Sequence, residues 1–332
     1  MIYDSILSAI GNTPLVKLDR IFDDLQFNLY AKLEAFNPGG SSKDRPAIKI
    51  IRRAIELGAI VPGETVVIES SSGNMCIGLA QACSYYGVRF ICVVDRKTTM
   101  QNIRLLEAYG AEVELVSEPD PVTGEYLQAR IDRVKSLLFS IPGSFWPNQY
   151  ANLDNPHAHH QTMREIATQL DNKVDYLFCA TSTCGTLRGC TEYIRDHRLN
   201  TKTYGVDAVG SVIFGGQKKT KRLIPGHGAA VRPSLFQTTI ADDCIHVTDL
   251  DCVVHCHQLV RREAILAGGS SGAVIAAVGR VKDLIPEGAN CVAILADRGE
   301  RYLDTIYSNA WVTEHFGDIA YQWQEPMEVE YA

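Results

Sequence analysis

From about Phe27 onward, short strand-like runs alternate with segments of helical periodicity, and this alternation restricts the chain to sheets flanked by helices on both faces. Residues 43–58 place Ile48, Ile51 and Ile55 on one helical stripe, with Gly58 positioned to stop it. A strand is expected at 65–69, a helix at 74–87, a strand at 89–94, a helix at 99–110 and a strand at 111–116. A break rich in Pro, Asp and Gly at 117–124 leads into a helical run ending near the Pro142-Gly143 turn. Further strands are expected at 174–180, 203–207, 244–247 and 291–296, the last a continuous apolar run suited to a central parallel strand. These runs predict two α/β lobes, each a mostly parallel sheet flanked by helices: a smaller one over 40–145 and a larger one built from 1–39 and 146–321. Residues 210–237 mix Gly, Pro and Lys without a period and are expected to form a mobile lid. The end from 322 to 332 carries Glu325, Glu328 and Glu330 without periodicity and is expected to fray.

Composition narrows the partners. With 332 residues, 46% hydrophobic and 21% charged, the chain can bury a full core. Thirty-two basic against 39 acidic residues leave a net charge of -7, so no chain-wide positive field exists to hold nucleic acid. Apolar runs fall far short of the roughly 20 residues that span a bilayer. Asp4 and the lack of a basic-then-apolar leader argue against a secretory signal. The 10 cysteines scatter through strands and helices of a chain too large to need staples, which predicts reduced thiols and a cytoplasmic setting.

Four turns carry the candidate chemistry. Asn37-Pro38-Gly39-Gly40-Ser41-Ser42-Lys43-Asp44 delivers a lysine onto the opening turn of a helix, where the dipole disfavours an ammonium and helps to expose a nucleophilic amine. Glu69-Ser70-Ser71-Ser72-Gly73-Asn74 offers backbone N–H groups and hydroxyls suited to a carboxylate. Thr181-Ser182-Thr183-Cys184-Gly185-Thr186 has the composition of a phosphate cradle, yet lacks the spacing of dinucleotide and P-loop fingerprints. In Gly268-Gly269-Ser270-Ser271-Gly272, glycines permit close approach of a ligand and Ser270 offers a hydroxyl. Taken alone, the lysine turn and the serine-rich turn read more readily as ordinary helix caps, and a cap is the alternative at 268–272 too. Placed together at the carboxyl ends of strands, they converge on one crevice. A lysine nucleophile, a phosphate cradle, and polar groups for a ring and a carboxylate describe pyridoxal phosphate with an amino-acid substrate.

In this order the motifs, with the opening Ile10-Gly11-Asn12-Thr13-Pro14-Leu15-Val16, resemble the fold-type II pyridoxal phosphate enzymes, the β-family of cysteine synthase and cystathionine β-synthase. The resemblance implies that Lys43 joins the cofactor covalently, Asn74 meets its ring hydroxyl, and Ser270 faces its pyridine nitrogen. It implies that Ser182, Thr183, Cys184, Gly185 and Thr186 cradle the phosphate, and that Ser71, Ser72, Met75 and Gln149 surround the substrate carboxylate. Cys184 stands where sulfhydrylases commonly carry glycine, and Met75 lacks the hydroxyl of the family's usual threonine. A neutral serine at the ring nitrogen favours β-elimination and replacement over transamination. A homodimer is implied as well.

Within that family, 146–152 (Trp-Pro-Asn-Gln-Tyr-Ala-Asn), 206–215 and 297–304 resemble the N-(2-amino-2-carboxyethyl)-L-glutamate synthases of 2,3-diaminopropionate and siderophore biosynthesis. That sub-branch implies O-phospho-L-serine as first substrate and L-glutamate as the amine nucleophile. Such substrates require additional cations. Arg130 matches an arginine of the sub-branch and is assigned to the leaving phosphate, the alternative being a solvated helix arginine; Arg188 is a weaker candidate. Tyr150, where sulfhydrylases have phenylalanine, adds a hydroxyl or else packs in the core. Cys252, His255, Cys256 and His257 lie on a core-like helical stripe, His157, His159 and His160 receive no chemistry, and neither metal nor haem is expected. Cysteine synthase activity and a catalytically silent binding scaffold stand as alternatives.

Overall fold

The computed structural model describes residues 2–122, 124, 126–216 and 222–323. In chain order it contains β1 (Leu15–Lys17), β2 (Asn28–Leu33), α1 (Asp44–Glu56), β3 (Val66–Ser70), α2 (Asn74–Tyr86), β4 (Arg89–Asp95), α3 (Met100–Ala108), β5 (Glu112–Val116) and α4 (Tyr126–Ser140). There follow α5 (Asp154–Gln169), β6 (Tyr176–Ala180), α6 (Gly185–Asp196), β7 (Lys202–Ala208), β8 (Asp243–Val247), α7 (Asp249–Glu263), α8 (Gly269–Val281), β9 (Asn290–Leu295) and α9 (Asn309–Phe316). The larger sheet runs β1-β2-β9-β6-β7-β8, parallel except where β1 meets β2. The smaller, β3-β4-β5, is parallel.

The unbroken apolar run of β9 follows from its place between β2 and β6, where both faces are covered. Cys291, Ala293 and Leu295 join a core with Cys252, Cys256, Ala273 and Val274 of α7 and α8. Val292 and Ile294 face the other way, into a core with Met163, Ile166 and Leu187 of α5 and α6. The smaller sheet repeats this pattern. Val67, Phe90 and Cys92 pack with α1 and α2, while Val66, Ile68, Ile91 and Val93 pack with Val134 and Leu137 of α4.

Three expectations need correction. The 268–272 turn does not follow a strand; it follows α7, and reaches the sheet ends through the antiparallel bridge of Ala267 with Arg298. The expected lid is anchored on both sides of 217–221, which lies outside the described residues. Gly228 N donates to Thr181 O at 2.7 Å, Val212 N donates to Ala229 O at 3.0 Å, and Ile213, Ile224 and Leu235 are buried. The chain end stays packed through Trp323, whose ring stacks on His257 at 4.1 Å; residues 324–332 of the expected tail lie outside the described residues.

Candidate active site

The lysine turn is docked onto the end of β9. Ser42 N donates to Ala296 O at 2.8 Å, Ser41 bridges Asp297, and Asn37 Nδ2 donates to Ser41 O at 3.1 Å. Asn37 Oδ1 in turn accepts from Gly11 N at 2.8 Å, which ties the opening Ile10-Gly11-Asn12-Thr13 motif to the turn. Lys43 ends up as the N-cap residue of α1, its Nζ donating to Ser42 Oγ at 3.1 Å. Burial lowers the pKa of this amine, while Cys179, Asp297, Glu34 and Asp44 pull it back up. Desolvation is therefore the leading cause that favours the free amine.

Behind the turn lies a buried ionic network. Arg45 donates to both oxygens of Glu34 (2.7 and 2.7 Å) and of Glu165 (2.7 and 2.8 Å), and the fully buried Lys32 sits 2.8 Å from Glu165. Thr13 Oγ1 donates to Glu34 at 2.8 Å. β2, α1 and α5 are thereby fixed around the lysine.

One pocket gathers Lys43, Ser182, Thr183, Cys184, Gly185, Thr186 and Ser270, with Cys179 in its wall. One side of it is the N-terminus of α6, where the N–H groups of the first turn, of which Gly185 N donates to Thr183 Oγ1 at 3.3 Å, and the positive end of the dipole favour an anion. Cys184 holds φ +68 there, a left-handed conformation that suits glycine and costs a residue bearing a Cβ. Gly185 has no room for a side chain, since an added Cβ would lie 2.1 Å from Asn155 Oδ1. Asn155 Nδ2 donates to Gln149 O at 2.7 Å and to Thr183 Oγ1 at 3.4 Å, joining the cradle to the 149–150 turn. Gly185→Ala must push Asn155 aside. Affinity for a phosphate-bearing ligand, measured by titrating the ligand-free chain, is expected to fall by about tenfold, as for loss of one charge-assisted hydrogen bond; an unchanged affinity would contradict this account of the cradle.

The remaining candidates lie outside the lining of that pocket. Asn74 Nδ2 donates to Asp297 Oδ2 at 2.7 Å, and Arg301 donates to Asn74 Oδ1. Ser71 and Ser72 are half-buried in the turn that opens α2, and Ser71 Oγ accepts from Gly73 N at 3.3 Å. Met75 needs correction as a carboxylate neighbour: its side chain is 2% exposed and belongs to the core of the smaller sheet, leaving only its N–H in the first turn of α2. Gln149 is buried, its Nε2 donating to Ser70 O at 3.4 Å. Burial pushes the neighbouring Glu69 carboxyl up to about 7, against hydrogen bonds from Ser70 N (2.7 Å), Trp146 Nε1 (3.1 Å) and Gln149 N (3.2 Å).

Arg130 is not a solvated helix arginine. It is 8% exposed, its Nε lies 3.2 Å from Asp95 Oδ2, and neither Nε nor Nη1 has a hydrogen-bond partner among the described residues. Asp95 answers the charge, but buried N–H groups left without acceptors are costly unless a further polar group meets them. Tyr150 is half-buried; burial raises its phenol pKa, and the charges of Arg130 and Arg222 both act to lower it. Arg222 is absent from the sequence-based assignments, because it sits in the aperiodic 210–237 stretch where no pattern marks it. Arg188 needs correction as an anion contact: it is paired with Glu192 at 2.7 Å and donates to Leu235 O at 3.3 Å. The discounted helix pair also has partners, with His255 Nδ1 at 2.8 Å from Asp251 O and His257 Nε2 at 2.9 Å from Ile306 O. His159 is fully buried between Thr162 and Thr186, its ring nitrogens 3.1 and 3.2 Å from their hydroxyls.

Comparison with known proteins decides what this pocket belongs to. Residues 6–297 match the family described as pyridoxal-phosphate dependent enzyme. The chain belongs to that family. An N-(2-amino-2-carboxyethyl)-L-glutamate synthase of Ralstonia nicotianae is 46% identical over 313 residues, covering 94% of this chain and 92% of the relative. One of Cupriavidus metallidurans is 44% identical over 316 residues, with the same 94% and 92% coverage. The crystal structure of a cysteine synthase from Entamoeba histolytica superposes with a TM-score of 0.86 at 33% identity, covering 92% of this chain and 91% of that one. The fold is that of the fold-type II enzymes, and the cofactor is pyridoxal phosphate. The donor set fits it: a half-buried amine lining the pocket, a helix start with hydroxyls suited to an anion, and a serine opening into the same pocket.

Proposed function

We propose that this chain joins O-phospho-L-serine and L-glutamate to give N-(2-amino-2-carboxyethyl)-L-glutamate and phosphate, for 2,3-diaminopropionate formation. The observation that carries this reading is Arg130, buried beside Asp95 yet with guanidinium nitrogens lacking hydrogen-bond partners and with its charge acting on the Tyr150 phenol, a cation that suits the leaving phosphate dianion better than the singly charged acetate. The names of the two synthase relatives support the same choice. In the reaction the Cβ–O bond to phosphate breaks, the glutamate nitrogen bonds to Cβ, and that nitrogen loses a proton.

When bound, pyridoxal phosphate withdraws electrons from the substrate Cα. The protein does the rest. Lys43 Nζ, favoured as a free amine by burial, removes the Cα proton and later returns it. Ser182, Thr183, Cys184, Gly185 and Thr186 hold the cofactor phosphate, Ser270 meets the ring nitrogen with a neutral hydroxyl, and Asn74 meets the ring hydroxyl. Ser71, Ser72, the Met75 N–H and Gln149 bind the substrate carboxylate, while Arg130 and Tyr150 receive the leaving phosphate. The ten free thiols, nine of them buried, support a reducing cytoplasmic setting, and the family resemblance supports a homodimer, which sedimentation tests.

Phosphate release from O-phosphoserine with glutamate or with sulfide tests the reading: faster turnover with glutamate is expected, and faster turnover with sulfide would make the chain a cysteine synthase. Arg130→Ala is expected to lower kcat/KM for O-phosphoserine by about ten- to a hundredfold, the value of a charged hydrogen bond, and that for O-acetylserine far less. Equal losses would remove Arg130 from phosphate recognition.

A further inference from the structure

Segment 297–302 touches three of the four turns that build the site. Asp297 bridges Ser41 of the lysine turn, and its Oδ2 accepts from Asn74 Nδ2 (2.7 Å) and from Tyr302 OH (2.5 Å). Its Oδ1 is buried without a partner among the described residues, packed where an added Cβ on Gly268 would come within 2.2 Å. Arg301 spans the lobes: its guanidinium donates to Gly39 O of the lysine turn and to Asn74 Oδ1. The side-chain amide of Asn74 is therefore fixed from both ends. Its oxygen is taken by a cation and one N–H by a carboxylate, which leaves the other N–H as the free donor. A donation into the amide oxygen also polarises the group and strengthens its remaining N–H as a donor.

We propose that Arg301 and Asp297 are positioning residues that orient and polarise the Asn74 amide for the ring hydroxyl of the cofactor while holding the lysine turn against it. This rests on the reading that Asn74 meets that hydroxyl. Neither residue needs to touch the cofactor; both act through Asn74 and through Gly39 or Ser41. The fork of arginine matters here, because a lysine offers one point donor and cannot serve the Gly39 and Asn74 oxygens together in the same geometry.

The test is cofactor affinity. The cofactor-free full-length chain is titrated with pyridoxal phosphate, following tryptophan fluorescence, for the wild type, Asn74→Ala, Arg301→Met, Arg301→Lys and the Asn74→Ala/Arg301→Met double variant. The melting temperature of each cofactor-free chain is recorded alongside. Arg301→Met is expected to weaken binding by about tenfold, of the order of one lost charge-assisted hydrogen bond, with Arg301→Lys intermediate. The double variant is expected to lose clearly less than the sum of the two single losses, since the arginine acts in part through that amide and in part through Gly39. Wild-type affinity in Arg301→Met, or additive losses in the double variant, would overturn the proposal while leaving the role of Asn74 intact. Wild-type affinity in Asn74→Ala would instead bring down the reading of Asn74 itself. Should Arg301→Met fail to melt cooperatively, Arg301→Lys decides, and wild-type binding by it overturns the proposal.

Discussion

Replacing Lys43 by alanine is expected to cut turnover by at least about a thousandfold, the loss of a positioned base being worth about 10²- to 10⁴-fold before the covalent link to the cofactor is counted. The chain should remain folded. Lys43 Nζ makes a single hydrogen bond, to Ser42, and holds no ionic partner within ion-pair distance among the described residues. A desolvated amine with a lowered pKa in fact opposes folding wherever the unfolded chain would carry the proton. In the cofactor-free wild type, stability should therefore rise as pH climbs toward the unfolded value of 10.5, and Lys43→Ala should shrink that rise, leaving the part that the buried Lys32 supplies. Phosphate-release assays and chemical unfolding at several pH values check both halves. Near-normal turnover in the variant would remove Lys43 from the chemistry.

The largest stability effect is expected at Arg45. Arg45→Met leaves Glu34, fully buried, and Glu165, 6% exposed, facing one another with Lys32 as the one nearby cation among the described residues and neutral donors from Thr13 and Asn37. Breaking a buried ion pair by removing one partner costs about 3–5 kcal/mol, because the abandoned charges stay out of water. The midpoint of urea unfolding should fall accordingly, with the slope unchanged. The network also has a pH signature. Although burial alone would raise the carboxyl, Arg45 and Lys32 hold Glu165 down to about 2, so its contribution is present above the unfolded value of 4.5 and lost as pH falls toward 2. Arg45→Met should weaken that acid dependence, and a loss below about 1 kcal/mol would show that the network is replaceable.

Much of this was legible in the sequence because strands covered on both faces advertise themselves. The run ending in Leu295 is apolar at every position after Asn290, and it is a central strand. The helices opening at Asp44 and Asn74 follow turns whose composition already marks a helix start. The pocket residues Lys43, Ser182 to Thr186 and Ser270 are close in space because those turns converge, which order along the chain suggested. What stayed hidden depends on tertiary contact. Arg45, Glu34, Glu165 and Lys32 are charged residues of the kind usually solvated, and only the packing of α1 against β2 and α5 reveals their pairing. Met75 stands beside Asn74 in the sequence, yet the helix turns its side chain into the core. Arg222 lies in an aperiodic stretch, where no spacing argument can reach it.

The most direct measurement is chemical trapping: the cofactor-loaded protein is reduced with borohydride, digested, and the modified peptide identified by mass spectrometry. The pyridoxal phosphate adduct is expected on Lys43 alone. An adduct on another lysine, or none at all, would contradict the account at its base.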